Sequence, residues 1–588
     1  MSDEANVWIE PEKWGETYWR GELPPQGQGE DREWVEIPHE MYIPISKAKV
    51  VSAFRDGYSK TPDDAEKFKH FVELLDGIYH FHFHETLNQL KEDYEFFSPD
   101  RVDKDDDDMP ELSAAEIQRR ERRFMSNFMK LMERGNFNPL NQHEYDLADA
   151  STFVFDMPVD ANWTGHDPSL IRDFTAWSDT AEGQAHLSDC IPGDAGTLNQ
   201  WLDQPEDTKD QMLIFTRGKT PERVEGAFFL SKVNLLVERG IKLVIRLAAS
   251  FSKKLQEKLG AVDEEYTRPE RKDIQVDFLP RWLRRMNLEN QLTDWGSLTG
   301  KTTLQEPAFE RVICLFRLKP KDPFRALRQS PILGGAVNKM FKPPEEPAVK
   351  PISIKIFKNI PMADLEVVFP EKKLKMRPFD KTVLSLVVLI TAITGLVKLS
   401  GNDAGGGGFV AFLGIMAAVL LKTVTGFLRT RVKYIAKIAQ DLYERNLDSN
   451  MGVMQFLVDS VEEQEFKEAF LCYLLLAKNG AQMDATGHVP KAMSNEDLDG
   501  AVENFLDENF SIEVDFDVDG ALKLVAAPAG ANNMPSPTAE QDATRKFLPI
   551  VAKRGEGDNA QYWAVPLDEA LRAMDEKWDN FFQYNLDD

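Results

Sequence analysis

The 588-residue sequence predicts an α+β multidomain membrane protein: an N-terminal helical region and a mixed α/β domain, a two-helix transmembrane hairpin, and a C-terminal helical, winged-helix-like domain. Three observations predict it. Short β-rich runs alternate with helical ones between about residues 136 and 375; two charge-free apolar runs follow, parted by a glycine-rich break; and basic residues gather at the outer ends of those runs in a chain that is otherwise acidic.

The chain carries 70 Lys and Arg against 98 Asp and Glu, a formal net charge of −28. That balance argues against nucleic acid as a partner, because phosphate backbones are held by Lys and Arg. Hydrophobic residues make up 42%, enough for sizeable cores. Cys190, Cys314 and Cys472 stand far apart with no C-x-x-C pair, so no disulfide framework is expected.

Residues 1–40 form an acidic arm with eleven acidic and three basic residues and tryptophans at Trp8, Trp14 and Trp19. It has neither the apolar stretch of a secretory signal nor the acid-poor, Arg-rich character of a transit peptide. Its aromatics are read as docking on the folded body, the alternative being a partner-binding peptide.

Residues 41–135 read as helical. Between Glu66 and Leu90, apolar residues at Phe68, Phe71, Leu74, Leu75, Ile78, Phe81, Phe83, Leu87 and Leu90 fall mostly at steps of three and four, the mark of a long amphipathic helix. The run Asp103–Asp108 with Pro110 breaks it. A second helix, Ala114–Glu133, carries Arg119, Arg120, Arg122 and Arg123 on a polar face.

In the α/β region 136–375 the expected strands are Ser151–Met157, Gln211–Arg217, Arg311–Arg317 and Pro351–Phe357, with helices over Arg223–Arg239 and Ile241–Leu259.

Residues 376–430 hold the hairpin. Val383–Val397 is fifteen residues without charge, and Phe409–Leu421 follows after Leu399–Gly408. Each run is shorter than the ~20 residues that span a bilayer. The flanks carry the argument: Lys372, Lys373, Lys375, Arg377 and Lys381 precede the pair, and Lys422, Arg429, Arg431, Lys433 and Lys437 follow it. This bias puts both large parts, and both termini, on the cytoplasmic side. Thr391 with Gly395, and Gly407, Ala411, Gly414 and Ala418, offer small-residue faces on which two spans pack. The lipid bilayer is the expected partner, along with a protein partner or a second copy of the chain.

In 431–588, a helix over Arg431–Leu447 leads to helices Val461–Lys478 and Asn495–Asn509, a strand Ser511–Phe516, a helix from Asp519, and a hairpin of Lys546–Lys553 with Ala560–Val565. The order is that of a winged helix. Its third helix bears one basic residue, Lys523, so it reads as a protein-contact module rather than a DNA reader.

Several motifs fall short of a site. Gly296–Thr302 has three residues between its glycines where a phosphate loop needs four. Asp515, Asp517, Asp519 and Gly520 copy half of a calcium loop, but Ala526 replaces its bidentate Glu, and an N-cap explains these aspartates. His80 and His84 share a helical face as a weak metal pair, with His82 and Glu85 turned elsewhere. No nucleophile or general base stands out, so catalytic residues are unassigned and no cofactor is expected.

Four blocks resemble the domain of unknown function 3754 family, which includes transmembrane protein 143-like proteins. They are YIPISKAKVV (Tyr42–Val51), Phe81–Asp100, Phe357–Lys381 and Asp441–Leu476, with FKNIPMADLE and QEFKEA the most specific. The resemblance implies membrane proteins without an assigned activity, supports two spans, and supplies no catalytic residue. The acidic start departs from mitochondrial members, which points to a bacterial inner membrane. The expected function is a membrane-anchored, cytoplasm-facing interaction or scaffolding protein; the alternatives are an anchored enzyme with its site in the α/β domain, or an oligomeric pore or transport-associated assembly. A pocket with converging ionisable side chains would favour the enzyme, and a flat apolar patch would favour the scaffold.

Overall fold

The computed structural model describes residues 34–58, 61–102, 112–148, 159–190, 202–226, 281–288, 300–328, 334–374, 442–480, 492–528 and 548–580, apart from single positions within them. It also describes residues 8–9 and 18–19 and scattered positions over 228–240 and 425–440. Trp8 and Trp19 of the arm are register partners in a two-residue antiparallel ladder.

Helix formation follows local chemistry. Helix α1 is Lys47–Tyr58. Helix α2, Pro62–Glu95, starts where Thr61 accepts a hydrogen bond from the Asp64 amide and Pro62 occupies the first turn. Its apolar stripe, from Phe68 through Phe71, Leu75, Ile78, Phe83 and Leu87 to Leu90, is buried. Helix α3, Ala114–Arg134, is capped by Ser113 and buries Phe124, Phe128, Met129 and Met132. A shorter helix α4, Ser169–Ser178, buries Leu170, Ile171 and Phe174. Helix α5, Met451–Gly480, is the spine of the core, with Val453, Leu457, Val461 and Ala469–Leu476 all buried. Helix α6, Asn495–Phe510, opens on a capping box of Ser494 and Asp497, and a short α7, Val518–Leu522, and α8, Leu567–Asn580, follow it.

The main sheet is an antiparallel meander of five strands in spatial order: β1 (Asn138–Pro139), β2 (Met212–Gly226), β3 (Thr302–Phe316), β4 (Ser353–Pro361) and β5 (Asn446–Ser449). Alternate side chains feed two cores. Leu213, Phe215, Ile313, Leu315, Ile354 and Ile356 face the helices. Met212, Ile214, Val312, Cys314, Phe316 and Phe357 pack on the far side with Met362, Leu365 and Phe369. A sheet covered on both faces reads in sequence as unbroken apolar runs, which is what MLIF and VICLF are.

The β2–β3 ladder extends to Gly226 opposite Thr302, so the helix expected from Arg223 begins as strand: cross-strand pairing overrides local helical preference there. Within β2, Gly218 has φ +71°, and a Cβ at that position would lie 2.8 Å from the Glu310 Cβ. Gly218→Ala therefore costs about 1–3 kcal/mol, read as a lower denaturant midpoint at unchanged slope.

A second sheet joins β6 (Met493–Ser494), β9 (Gln561–Ala564), β8 (Val551–Arg554) and β7 (Ala526–Pro528) in that order, with β7 parallel to β8. The β8–β9 hairpin is present, turning through Gly555 and Gly557 at positive φ. The strand expected at Ser511–Phe516 is instead a segment without regular structure, which begins with Ser511 in the left-handed region and whose Asp515 amide donates to the Glu40 carbonyl (3.2 Å).

Among the described residues no helix is long and apolar enough to cross a membrane. This finding overturns the membrane fold class, the two-span hairpin and the inner-membrane location predicted above. The fold is a mixed α/β one with several sheets and helices. The long apolar helix that is described, α5, is covered by protein, and Asp459, Glu462, Glu463, Glu465, Lys467 and Glu468 interrupt its middle turns.

The runs Val383–Val397 and Phe409–Leu421 lie outside the described residues, with the packing positions Thr391, Gly395, Gly407, Ala411, Gly414 and Ala418. So do Lys375, Arg377, Lys381, Lys422, Arg431, Lys433 and Lys437, and the strand expected at Ser151–Met157. Of the residues expected to set topology, Lys372 is partly buried and donates to the Val367 carbonyl, the Lys373 backbone pairs with Asp160, and Arg429 is exposed.

Candidate functional site

Two of the charged constellations among the described residues differ in what they enclose: one is packed between segments of the fold, and one opens on a cleft. The first straps residues 40–47 across the molecule. Lys467 on α5 donates to the carbonyls of Ile43 (2.8 Å) and Ile45 (3.0 Å), and Gln464 accepts from the Ile43 amide. Arg217 on β2 lies between the rings of Tyr42 and Phe137, 4.1 Å from each, and donates to Gly135 O and Ser460 Oγ. Lys219 bridges Glu144 (2.8 Å) and Glu40 (3.4 Å). Burial opposes the charge on Lys219, yet Glu144 and Glu40 hold its pKa above the ordinary value.

Next to Lys467, Glu468 accepts from Gln464 and Asn136, and burial pushes its pKa up to about 8. Burial likewise brings Lys467 down to about 8. The YIPIS and QEFKEA blocks thus meet face to face. Most of their hydrogen bonds join these two blocks to each other and to β2, so this network holds the fold together.

The second constellation opens on a cleft of about 460 Å³. Helix α3 presents Ala114, Ile117, Gln118, Glu121 and Arg122 at spacings of three and four, hence on one face. Helix α4 presents Ser169, Asp173 and Phe174, and the sheet contributes Arg317, one residue past β3, and Lys350, just before β4.

Arg317 has a side chain only 3% exposed. It donates to Glu121 Oε2 (2.5 Å) and more weakly to Ser169 Oγ and the Lys350 carbonyl, while its Nε has no hydrogen-bond partner among the described residues. Lys350 pairs with Asp167 at 2.9 Å, and the Asp167 amide donates to the Arg317 carbonyl, locking the α4 entry to the strand end. Burial alone would raise the Asp167 pKa, but hydrogen bonds from Lys350 and Ser169 hold it below the ordinary value. Arg122 lies 5.3 Å from the Trp177 ring.

Behind the cleft wall, His166 is fully buried beside Trp163 and Phe316. Burial drives its pKa to about 4, the nearby Asn162 backbone offsetting this only in part, so the ring is neutral at pH 7.

Arg317, Lys350, β4 and the turn Met362–Val368 lie in one stretch of chain. Residues 309–452 match the family described as a protein of unknown function, DUF3754. The resemblance read from the sequence is thus shown over about a quarter of the chain. This DUF3754 segment supplies two of the three cations of the cleft; the third, Arg122, comes from α3. No solved structure matches the chain.

The residues singled out from sequence are placed as follows. His80 is exposed and faces Glu462 at 3.2 Å, with the His84 ring 6.3 Å away; among the described residues no group of three or more His, Cys, Asp or Glu is arranged to hold a metal ion. Asp517 caps α7 by accepting from the Gly520 amide (3.0 Å). The Cys314 thiol is buried and pushed up to about 12, and burial also raises Cys472 well above its ordinary value, so neither thiol is a ready nucleophile.

The cleft residues went unassigned because Glu121 and Arg122 look like an ordinary solvated helix face. One signal was available: Arg317 closes a strand that is apolar on both faces, and a charge in that position must find a partner.

Proposed function

We propose that the chain is a ligand-binding protein whose cleft between α3, α4 and the end of β3 takes a small charged molecule. The single observation carrying this reading is the convergence of Glu121, Arg122, Asp173, Arg317 and Lys350 on one cavity beside the apolar surface of Ile117 and Phe174. That combination of a few directed polar groups on an apolar wall, in a volume of this size, is what small-molecule sites use. It favours ligand binding over a scaffolding role, for which a flat apolar patch is the expected feature.

Thermal denaturation of the full chain against inorganic phosphate, acetate, amino acids, polyamines and nucleosides tests it. At least one probe is expected to stabilise saturably, by about 2.7 kcal/mol at 100 times its Kd. Gln118→Trp, at an exposed position on the cleft rim, is expected to abolish that shift with little change in the melting of the free protein. Shifts that survive Gln118→Trp, or no shift with any probe, overturn the reading.

A further inference from the structure

We infer that the cleft recognises a compact oxyanion, a carboxylate or phosphate group, and that Glu121 is an internal counter-anion which the ligand displaces from Arg317. The inference rests on the ligand-binding reading above and adds the chemical class.

A guanidinium this deeply buried needs an anion, and Glu121 is the acidic partner the fold provides. The fit is incomplete. An Arg head presents Nε and one Nη as a planar fork that matches two oxygens of one anion. Here Glu121 reaches only Nη2, with one oxygen, and Nε is left without a partner among the described residues. An oxyanion with two free oxygens satisfies both arms of the fork.

Glu121 is able to yield its place. Its side chain is 19% exposed against 3% for Arg317, so it is the member of the pair that can swing to water. The other charges are already disposed for the exchange. Lys350 is matched by Asp167, Arg122 lies along the Trp177 ring, and Asp173 lies beside Arg172 at the helix surface (3.1 Å). Once Glu121 turns outward, the lining holds Arg122, Arg317 and Lys350 against Asp173, which already lies beside Arg172, a local excess of positive charge. The Ser169 hydroxyl, 3.4 Å from Arg317 Nη1, supplies a further polar contact.

Isothermal titration of the full chain with inorganic phosphate and, separately, acetate tests this, using wild type, Glu121→Gln and Arg122→Gln. Glu121→Gln removes the competing charge and keeps the shape, so anion affinity is expected to rise about tenfold or more. Arg122→Gln is expected to weaken it. A gain of affinity cannot come from misfolding, which keeps the test informative although Arg317 is buried. The ratio of phosphate to acetate affinity tells which oxyanion the cleft prefers, and preference for either supports the inference.

Unchanged or weakened anion binding in Glu121→Gln overturns it. If cationic or neutral probes bind in a Gln118→Trp-sensitive way while phosphate and acetate do not, the oxyanion inference fails and the ligand-binding reading stands. If nothing binds, both fall.

Discussion

Phe470→Ala is expected to destabilise the full chain by about 3–5 kcal/mol, the range for emptying a large aromatic from a packed core. Phe470 is fully buried at the centre of α5 and meets Phe54, Phe68, Phe71 and Phe466 at ring separations of 5.5–6.4 Å. It joins α1, α2 and α5, and so supports the helical layer under the sheet. Chemical denaturation reads the loss as a lower midpoint. The cleft is built from α3, α4 and the strand ends, so probe affinity at temperatures where the variant is folded should match wild type. A loss below about 1 kcal/mol would mean that α5 is not the spine of the core.

Glu468→Gln is expected to change how stability depends on pH. The folded pKa of Glu468 is about 8 against an ordinary value of 4.5, because burial penalises its charged form. Between those values the folded chain binds the proton and the unfolded chain releases it, so this residue's contribution falls as pH rises through the window. The glutamine variant keeps the shape and the partners Gln464 and Asn136 and never bears the charge. It should equal wild type near pH 5 and exceed it by roughly 2–4 kcal/mol above pH 8.

Other groups titrate nearby, which is why the difference between the two proteins is the quantity to measure. His82 and His166, both lowered to about 4 by burial, cost stability as pH falls from 6.5 toward 4 in both proteins. Lys467, lowered to about 8, adds stability only as pH climbs from 8 toward 10.5. A difference that is flat from pH 5 to 8 would refute the buried, proton-retaining Glu468.

Much of the fold was legible where one periodicity dominated. The 3.6-residue stripe of α2 and the apolar runs of β2 and β3 announced themselves, because each is fixed by burial against a continuous surface. The ends of elements were less legible. β2 continues to Gly226 because β3 offers it a ladder, and in Ser511–Phe516, which pairs with no strand among the described residues, the Asp515 amide donates to the Glu40 carbonyl. Both outcomes depend on residues more than 70 positions away in sequence.

The membrane reading erred by giving local charge and hydropathy the deciding weight. Lys372, one of the flanking basic residues expected to set topology, lies partly buried and donates to the Val367 carbonyl. The cleft was hidden for a related reason. Glu121, Ser169, Arg317 and Lys350 come from four separate parts of the chain, and only the strand order β3–β4 with α3 and α4 packed at its end brings them together.

Hydrogen exchange of the full chain, with and without the most strongly stabilising probe, tests the central claim most directly. The ligand-binding reading predicts slower exchange at amides of residues 114–122 and 169–174 and of the segments around Arg317 and Lys350, with the C-terminal sheet β6–β9 unchanged. Stabilisation accompanied by protection elsewhere, and none in those four segments, would contradict it.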